Sequence, residues 1–253
     1  MASKRFLGKV AIVTGAGRGM GKATAMTLAH GGAALVVNDI NVEWAEQVKG
    51  EIEEAGGRAV AYVADVSKAE EVQAMINATI NKYGTVDILI NNAGIIRSTS
   101  PLEEIPLEEW DLMMAVNIRG VFLCTKAVLP IMKKKRSGKI VNISSSAGRS
   151  TSTFGGAHYT TSKAAVIGLT RHTAREVAPF NINVNATAPG SMDTEMVREF
   201  ATPEHISQEE KKIPLGRLGT PQDGADLVAF LCSDEASYIT GATIDINGGD
   251  LII

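Results

Sequence analysis

Tyr159 and Lys163 have the side chains and the spacing of a proton donor and its activating cation. They lie four positions apart in the segment Tyr-Thr-Thr-Ser-Lys, and residues at this spacing share one face of a helix. A phenol titrates at about 10 in water, and a neighbouring cation favours its phenolate form. The pair therefore predicts a general acid/base that works near neutral pH. The alternative is a surface pair without such a role, because this spacing is common on helices.

Three consecutive serines, Ser144–Ser146, follow the apolar run that ends at Ile143. They would lie at the carboxyl end of a strand, which is the edge where ligands bind in open α/β sheets. A hydroxyl at that edge could hold a carbonyl oxygen and stabilise the negative charge that develops on it. The spacing alone leaves open which of the three serines would do so.

A glycine-rich turn joins the first predicted strand to the first predicted helix. Val10–Thr14 runs directly into Gly-Ala-Gly-Arg-Gly-Met-Gly, and a helical pattern follows. Glycines let backbone N–H groups approach a pyrophosphate, and a helix N-terminus carries partial positive charge. We therefore expect Gly15, Gly19 and Gly21 to bind the pyrophosphate of a dinucleotide. An ordinary tight turn is the alternative.

An acidic residue, Asp39, ends the second predicted strand. It follows Gly21 at about the 20-residue spacing of a carboxylate that binds a ribose. Such a carboxylate accepts hydrogen bonds from both ribose hydroxyls and repels a 2′-phosphate, which favours NAD over NADP. Arg18 argues in the other direction, because a guanidinium in the glycine turn could pair with a 2′-phosphate. Asp39 could instead cap the next helix, a role that Asn41 could fill equally well.

The elements that must position these residues alternate along the chain. Short β-branched apolar runs alternate with longer amphipathic stretches, which is typical of βαβ units in a parallel sheet. The pattern predicts a single doubly wound α/β domain over residues 1–253, with a substrate-binding flap over residues 191–218, where the alternation stops. The predicted strands are Val10–Thr14, Ala34–Asn38, Ala59–Val63, Val86–Ile90, Lys139–Ser144, Asn181–Ala186 and Thr243–Ile246. The predicted helices are Gly19–His30, Val42–Ala55, Ala69–Tyr83, Leu107–Lys135, Ala157–Ala178 and Pro221–Cys232.

The composition favours a globular protein that acts on small molecules. Of the 253 residues, 45% are hydrophobic and 21% are charged, and the net charge is −3. This balance excludes a disordered or collagen-like chain and argues against nucleic acid and anionic membranes as partners. We expect no metal site, because the cysteines and histidines lack ligand spacing. We also expect a cytoplasmic protein, since no run approaches the roughly 18 apolar residues of a membrane span.

Several motifs, taken in order, resemble those of the single-domain short-chain dehydrogenases/reductases over nearly the whole chain. They are Thr14–Gly21, Asn91–Gly94, Asn117, the serine cluster, the Tyr-Lys pair and Pro189-Gly190. The resemblance implies a Rossmann-like sheet of seven parallel strands with helices on both faces. The cofactor-binding residues that it implies are Gly15, Arg18, Gly19, Met20, Gly21, Asp39, Asp65, Val66, Asn92, Ala93, Gly94, Tyr159, Lys163, Pro189, Gly190 and Thr194.

The same resemblance implies a role for each catalytic residue. Tyr159 is the general acid/base, and Lys163 lowers its pKa and holds the nicotinamide ribose. Ser145, three residues before Gly148, is the serine that orients the substrate oxygen. Asn117 anchors a water molecule in a proton relay from Lys163.

The implied activity is NAD(H)-dependent hydride transfer between a secondary alcohol and a ketone. One alternative is reduction of a 3-oxoacyl-(acyl-carrier-protein) or another acyl thioester, because Arg136 matches one position of the basic patch with which such reductases bind the carrier. Phe180 stands at the other basic position, and Asp39 departs from their usual preference for NADP. A dinucleotide-binding sensor is the non-enzymatic alternative, although it would need no catalytic set. The helix Leu107–Lys135 resembles the family's main subunit contact and implies a homotetramer.

Overall fold

A parallel β-sheet organises the computed structural model, which describes residues 4–97, 100–199 and 201–253. Its strands are β1 (Val10–Thr14), β2 (Ala34–Asp39), β3 (Arg58–Val63), β4 (Ile88–Asn91), β5 (Gly138–Ile143), β6 (Ile182–Pro189) and β7 (Thr243–Ile246). They pair in parallel in the order β3-β2-β1-β4-β5-β6-β7. The five central strands are buried along almost their whole length, as expected for a sheet covered on both faces.

Helices on both faces of the sheet create two hydrophobic cores. The α-helices are α1 (Gly19–His30), α2 (Val42–Glu54), α3 (Ala69–Tyr83), α4 (Leu107–Met114), α5 (Gly120–Lys135), α6 (Ala157–Val177), α7 (Glu195–Arg198), α8 (Pro203–Lys212) and α9 (Pro221–Cys232). Successive residues of β1 point to opposite faces. Ala11 and Val13 join the core under α1, α2 and α9, and Ile12 joins the core under α3, α5 and α6.

The order of the strands locates a crevice. The chain builds the sheet outwards from β1 through β2 to β3, and it then returns to place β4 on the other side of β1. The connections therefore diverge at the carboxyl ends of β1 and β4, which is where ligands bind in doubly wound sheets. The Rossmann-like, seven-stranded α/β fold expected from the sequence is confirmed.

Some boundaries of the elements differ from the sequence prediction. β4 starts at Ile88 rather than Val86, and β5 is shifted by one residue. β6 starts after Asn181, which has a left-handed φ of 56°, and it runs three residues beyond the predicted end at Ala186. The extension forms because Ala186–Pro189 pairs with β7. Apart from the long helix described next, the other predicted elements agree with the structure within one residue at each end, and α7 and α8 were not predicted.

The predicted helix Leu107–Lys135 contains an irregular turn. α4 leads into a π-helical turn, Ala115–Arg119, which leads into α5. By length and composition this 29-residue segment could cross a membrane, so the expectation that no segment approaches a membrane span is wrong here. In this fold the segment packs against α3, α6 and the sheet, and less than half of its most apolar window is buried.

The predicted flap is helical in part and is tied to the sheet edge. Within residues 191–218 lie α7 and α8, and residue 200 is outside the described residues. Met192 forms an isolated parallel bridge with Gly219. At the other end of the flap, the Leu215 N–H donates to the Gly248 carbonyl oxygen at 3.1 Å. The two ends of the flap are therefore joined to each other, and the end near Leu215 is tied to the segment that follows β7.

Candidate active site

The glycine turn between β1 and α1 allows a close approach to the backbone. Gly15 and Gly19 have positive φ angles of 60° and 52°. A Cβ atom on Gly21 would lie 2.1 Å from the Gly15 carbonyl oxygen, so no side chain fits there. α1 begins after Arg18, whose side chain makes no capping hydrogen bond. The first N–H groups of α1 can therefore bind an anion, and the turn fits the pyrophosphate of a dinucleotide.

The end of β1 and the segment after β4 hold this turn in place. The Asn92 Nδ2 donates to the carbonyl oxygens of Thr14 and Gly15, at 2.9 Å in each case. The Thr14 Oγ1 accepts hydrogen bonds from the N–H groups of Asn92 and Ala93 at 3.0 Å. These bonds join the two strands that flank the crevice, and they make Asn92 and Ala93 one wall of it.

Asp39 binds the backbone of the glycine turn and the backbone that follows β2. Its side chain is nearly buried, with 7% exposure. The Oδ2 atom accepts a hydrogen bond from the Gly17 N–H at 2.9 Å, and Oδ1 accepts one from the Asn41 N–H at 3.0 Å. The cap of α2 is Asn41, whose Oδ1 accepts from the Trp44 N–H at 3.0 Å. A carboxylate has further lone pairs, so Asp39 can anchor the turn and still accept from a ribose.

The Arg18 side chain contacts both α2 and the flap. Its guanidinium lies 4.6 Å from the centre of the Trp44 ring, as in a cation–π contact. It also forms an ion pair with Glu199, directly after α7. The cation that could favour a 2′-phosphate is therefore already paired with a flap carboxylate.

Tyr159 and Lys163 are adjacent on one face of α6, where Lys163 is buried and Tyr159 is half-buried. The Lys163 Nζ donates to the Ile143 carbonyl oxygen at 3.0 Å and lies 5.7 Å from the centre of the Tyr159 ring. Burial lowers the pKa of Lys163 to about 8. Burial also raises the pKa of Tyr159 above its ordinary value, more than its side-chain hydrogen bond with Ser145 lowers it. The direction of the shift is therefore opposite to the one that the sequence suggested.

The structure separates the roles of the consecutive serines. The buried Ser144 Oγ donates to the Lys163 carbonyl oxygen at 2.8 Å, which joins the end of β5 to α6. The Ser145 Oγ donates to the Pro189 carbonyl oxygen at 3.4 Å and hydrogen-bonds to the Tyr159 side chain. Of these two serines, only Ser145 reaches the phenol. This geometry supports Ser145 rather than Ser144 as the substrate-orienting residue.

Asn117 lies behind the wall of the crevice, on the π-helical turn. Its Oδ1 accepts from the Ile95 N–H at 2.8 Å, and its Nδ2 donates to the Ile95 carbonyl oxygen at 2.9 Å. A Cβ atom on Gly94 would meet the Lys163 Nζ at 3.3 Å and the Asn117 Oδ1 at 3.4 Å. The two side chains therefore flank Gly94, and Asn117 fixes the chain that follows β4.

Comparisons with known proteins agree with this geometry. Residues 15–250 match the family model described as enoyl-(acyl carrier protein) reductase. The 3-oxoacyl-[acyl-carrier-protein] reductase FabG of Thermotoga maritima is 41% identical over 249 residues, which are 98% of this chain and 100% of the relative. The chain belongs to the short-chain dehydrogenase/reductase family. It is an NAD(P)-dependent oxidoreductase that acts on a secondary alcohol or the corresponding ketone.

Other relatives extend this similarity to the cofactor. A 3-oxoacyl-[acyl-carrier-protein] reductase of Synechocystis sp. is 45% identical over 95% of this chain and 96% of its own length. The structure of a 3-ketoacyl-(acyl-carrier-protein) reductase from Brucella melitensis complexed with NADH has a TM-score of 0.90 and 39% identity, and the match covers 98% of this chain and 100% of that one. The cofactor of this dehydrogenase/reductase is thus a nicotinamide dinucleotide.

A cleft of about 410 Å³ brings the predicted cofactor residues together. Asp65 at its edge accepts hydrogen bonds from the Ser67 N–H and Oγ at 2.9 and 2.7 Å. Thr194 caps α7 by accepting from the Val197 N–H at 3.4 Å. The predicted residues that line the cleft are Gly15, Arg18, Gly19, Met20, Gly21, Asp39, Asp65, Val66, Asn92, Ala93, Gly94, Ser145, Tyr159, Lys163, Pro189, Gly190 and Thr194.

The sequence analysis missed several residues of this cleft. Trp44 and Ile40 lie near Asp39, and further apolar lining residues come from the flap and from the loop before α6. Nothing in their local sequence marks them, because they enter the cleft through tertiary packing. The missed lining residues include Ile40, Trp44, Phe154, Met192, Glu195 and Met196.

Proposed function

We propose that this short-chain dehydrogenase/reductase prefers NAD(H) and reduces the ketone of a 3-oxoacyl thioester to a secondary alcohol. The observation that carries the proposal is the half-buried phenol of Tyr159, which hydrogen-bonds to Ser145, has Lys163 beside it and lines the cleft of the glycine turn. The sequence similarity to reductases named for 3-oxoacyl substrates supports the substrate class.

The adenosine half of the cleft supports the preference for NAD. The glycine turn and the N-terminus of α1 would hold the pyrophosphate, and Asp39 would accept from the ribose hydroxyls. A 2′-phosphate would lie against the nearly buried carboxylate of Asp39, whose other contacts fix it in place. When bound, the coenzyme supplies or accepts the hydride at its nicotinamide ring.

The protein's own groups handle the proton and the oxygen. In ketone reduction, Tyr159 gives its phenolic proton to the carbonyl oxygen as the carbonyl carbon gains the hydride, and Ser145 donates a hydrogen bond to the same oxygen. Lys163 stabilises the resulting phenolate by its charge. Asn117 keeps the segment after β4 against Lys163, where a water molecule could pass a proton back to the tyrosine.

A small ketone that is not attached to a carrier is the second candidate substrate. It is favoured because the basic side chains at the end of α5 already have partners within the subunit. The Arg136 guanidinium donates to the Pro179 carbonyl oxygen at 2.7 Å and lies 5.9 Å from the centre of the Phe180 ring. Lys133 is paired with Glu176 at 2.8 Å. These cations are engaged within the subunit, which weakens the case for an acidic carrier protein bound at this corner.

We further propose a cytoplasmic homotetramer. An apolar groove on α4 and α5 is lined by residues that include Leu112, Ile118 and Phe122, and both Leu112 and Phe122 are 45% exposed. Ile252 and Ile253 at the chain end are also exposed. Contact between subunits would remove this apolar surface from water. Light scattering on the purified protein tests the assembly, and a monomer at micromolar concentration would contradict it.

The replacement Tyr159→Phe tests the proposed reaction. The substrate is the coenzyme A thioester of 3-oxobutanoate, with NADH or NADPH as the reductant and the absorbance at 340 nm as the readout. We expect kcat to fall by about 10²-fold or more, the range of general acid catalysis, and NADH binding to stay within about twofold. The matched control is Tyr238→Phe, because Tyr238 is fully exposed.

The outcome separates the candidates. Turnover of the thioester with NADH supports the leading proposal, and turnover of simple ketones alone supports the second candidate. A wild-type protein that binds NADH and reduces none of these substrates would be a dinucleotide sensor. Normal turnover in Tyr159→Phe would remove the proposed acid.

A further inference from the structure

The flap touches the glycine turn at two places. Glu199, which directly follows α7, forms an ion pair with Arg18. The start of α7 lies over Gly19, because a Cβ atom on Gly19 would lie 3.5 Å from both the Glu195 Oε2 and the Thr194 Cγ2. Arg18 is therefore held between two surfaces, the ring of Trp44 on α2 and the carboxylate of Glu199 on the flap.

This arrangement controls the charge at the ribose end of the cleft. Arg18 and Lys163 are the cations among the described residues that line the cleft. Lys163 is bound to the Ile143 carbonyl oxygen on β5, whereas Arg18 follows Gly17, whose N–H donates to Asp39. A 2′-phosphate next to Asp39 would need Arg18 as its counter-charge. Glu199 competes for that same guanidinium.

We propose that Glu199 is a positioning residue that determines coenzyme preference: it holds Arg18 away from a 2′-phosphate and thereby disfavours NADP. The inference rests on the proposed preference for NAD and adds a second determinant to Asp39. Asp39 would act by direct repulsion, and Glu199 would act through Arg18. The flap would in this way contribute to the choice of coenzyme as well as to the choice of substrate.

The size of the effect follows from the exposure of the pair. The Arg18 and Glu199 side chains are 31% and 50% exposed, and exposed ion pairs are individually weak. The replacement Glu199→Gln would free the Arg18 guanidinium to pair with a 2′-phosphate. We therefore expect NADPH to bind about 3- to 10-fold more tightly and the gain to shrink at high salt, because solvent ions screen exposed charges.

The experiment compares the binding of NADH and NADPH to the full-length protein by coenzyme fluorescence, at low and high ionic strength. It uses the wild type, Glu199→Gln, Arg18→Ala and the double variant. The matched control is Asp193→Asn, which also removes a carboxylate from the flap. The Asp193 carboxylate is paired with Arg198 at 2.7 Å and not with the glycine turn. Binding alone is measured, so the result does not depend on the substrate.

We expect Glu199→Gln to tighten NADPH binding while NADH binding stays within about twofold, and Asp193→Asn to leave the ratio of the two affinities unchanged. In the Arg18→Ala background, the Glu199 replacement should have no further effect. An unchanged ratio in Glu199→Gln, or a change that persists without Arg18, would overturn the inference. A wild type that binds neither coenzyme would overturn both this inference and the proposed function. A wild type that binds NADH without turnover would overturn the proposed function alone.

Discussion

The replacement Asp39→Ala should weaken the fold as well as change the coenzyme preference. The nearly buried Asp39 carboxylate accepts two backbone N–H bonds, from Gly17 at 2.9 Å and from Asn41 at 3.0 Å. A hydrogen bond to a charged group contributes about 1.5–3 kcal/mol, so loss of both should lower the free energy of unfolding by about 3–6 kcal/mol. A typical domain has only about 5–15 kcal/mol in total, so this is a severe effect.

The same replacement should move coenzyme selectivity towards NADP. Alanine removes both the acceptor for the ribose hydroxyls and the charge that opposes a 2′-phosphate. We expect the ratio of kcat/KM for NADPH to that for NADH to rise about 10- to 100-fold, which corresponds to about 1.4–2.8 kcal/mol. Asp39→Asn keeps one acceptor oxygen, so it should lose about half as much stability and remain measurable if Asp39→Ala fails to fold.

Urea unfolding and initial rates at 340 nm measure the two effects. Asp226→Ala is the matched control, because Asp226 is exposed and its side chain contacts only Gln222 of the same helix among the described hydrogen bonds. We expect that control to change stability by less than about 0.5 kcal/mol. A denaturation midpoint for Asp39→Ala equal to that of the wild type would refute the anchoring role of the carboxylate.

Two further predictions concern buried groups. The pKa of Lys163 is lowered by burial to about 8 from 10.5, so below pH 8 the folded state carries an unfavourable buried charge. Lys163→Met removes this charge, which should make the variant more stable than the wild type by about 3 kcal/mol below pH 8. This contribution should disappear as the pH rises towards 10.5. A difference in the free energy of unfolding in urea that does not depend on pH would contradict this. Gly21→Ala should abolish NADH binding in fluorescence titrations, because its Cβ would collide with the Gly15 carbonyl oxygen. The matched control is Gly50→Ala, which has no atom near its Cβ. It should leave NADH binding unchanged and stabilise α2 by about 0.5–1 kcal/mol. Equal effects of the two replacements on NADH binding would contradict the steric argument.

The sequence predicted the fold well because the signals for its elements are local. The buried strands read as β-branched runs, and α1, α3 and α9 have the predicted bounds. The missed parts depend on distant partners. The extension of β6 to Pro189 requires β7, and the π-helical turn is held by bonds between Asn117 and Ile95. No short window of sequence contains both partners of these contacts.

The candidate site shows the same division. Spacing identified Asp39 as a cleft residue, but it could not show that Asp39 holds the Gly17 N–H while Asn41 caps α2. Nor could it show that Arg18 pairs with Glu199, a residue 181 positions away. The sequence predicted a lowered pKa for Tyr159 from its neighbour Lys163. Burial raises that pKa instead, and burial is a property of the folded chain.

The raised pKa of the Tyr159 phenol suits ketone reduction near neutral pH. Burial raises the pKa of Tyr159 and so favours its neutral phenol, whereas Lys163, with a pKa of about 8, still carries its charge at neutral pH. A neutral phenol is the form that can donate a proton to a carbonyl oxygen. Alcohol oxidation needs the phenolate instead, and the positive charge of an oxidised nicotinamide would favour it. We therefore expect the rate of alcohol oxidation to increase as the pH rises. The rate of ketone reduction should be high at neutral pH and should fall as the phenol ionises.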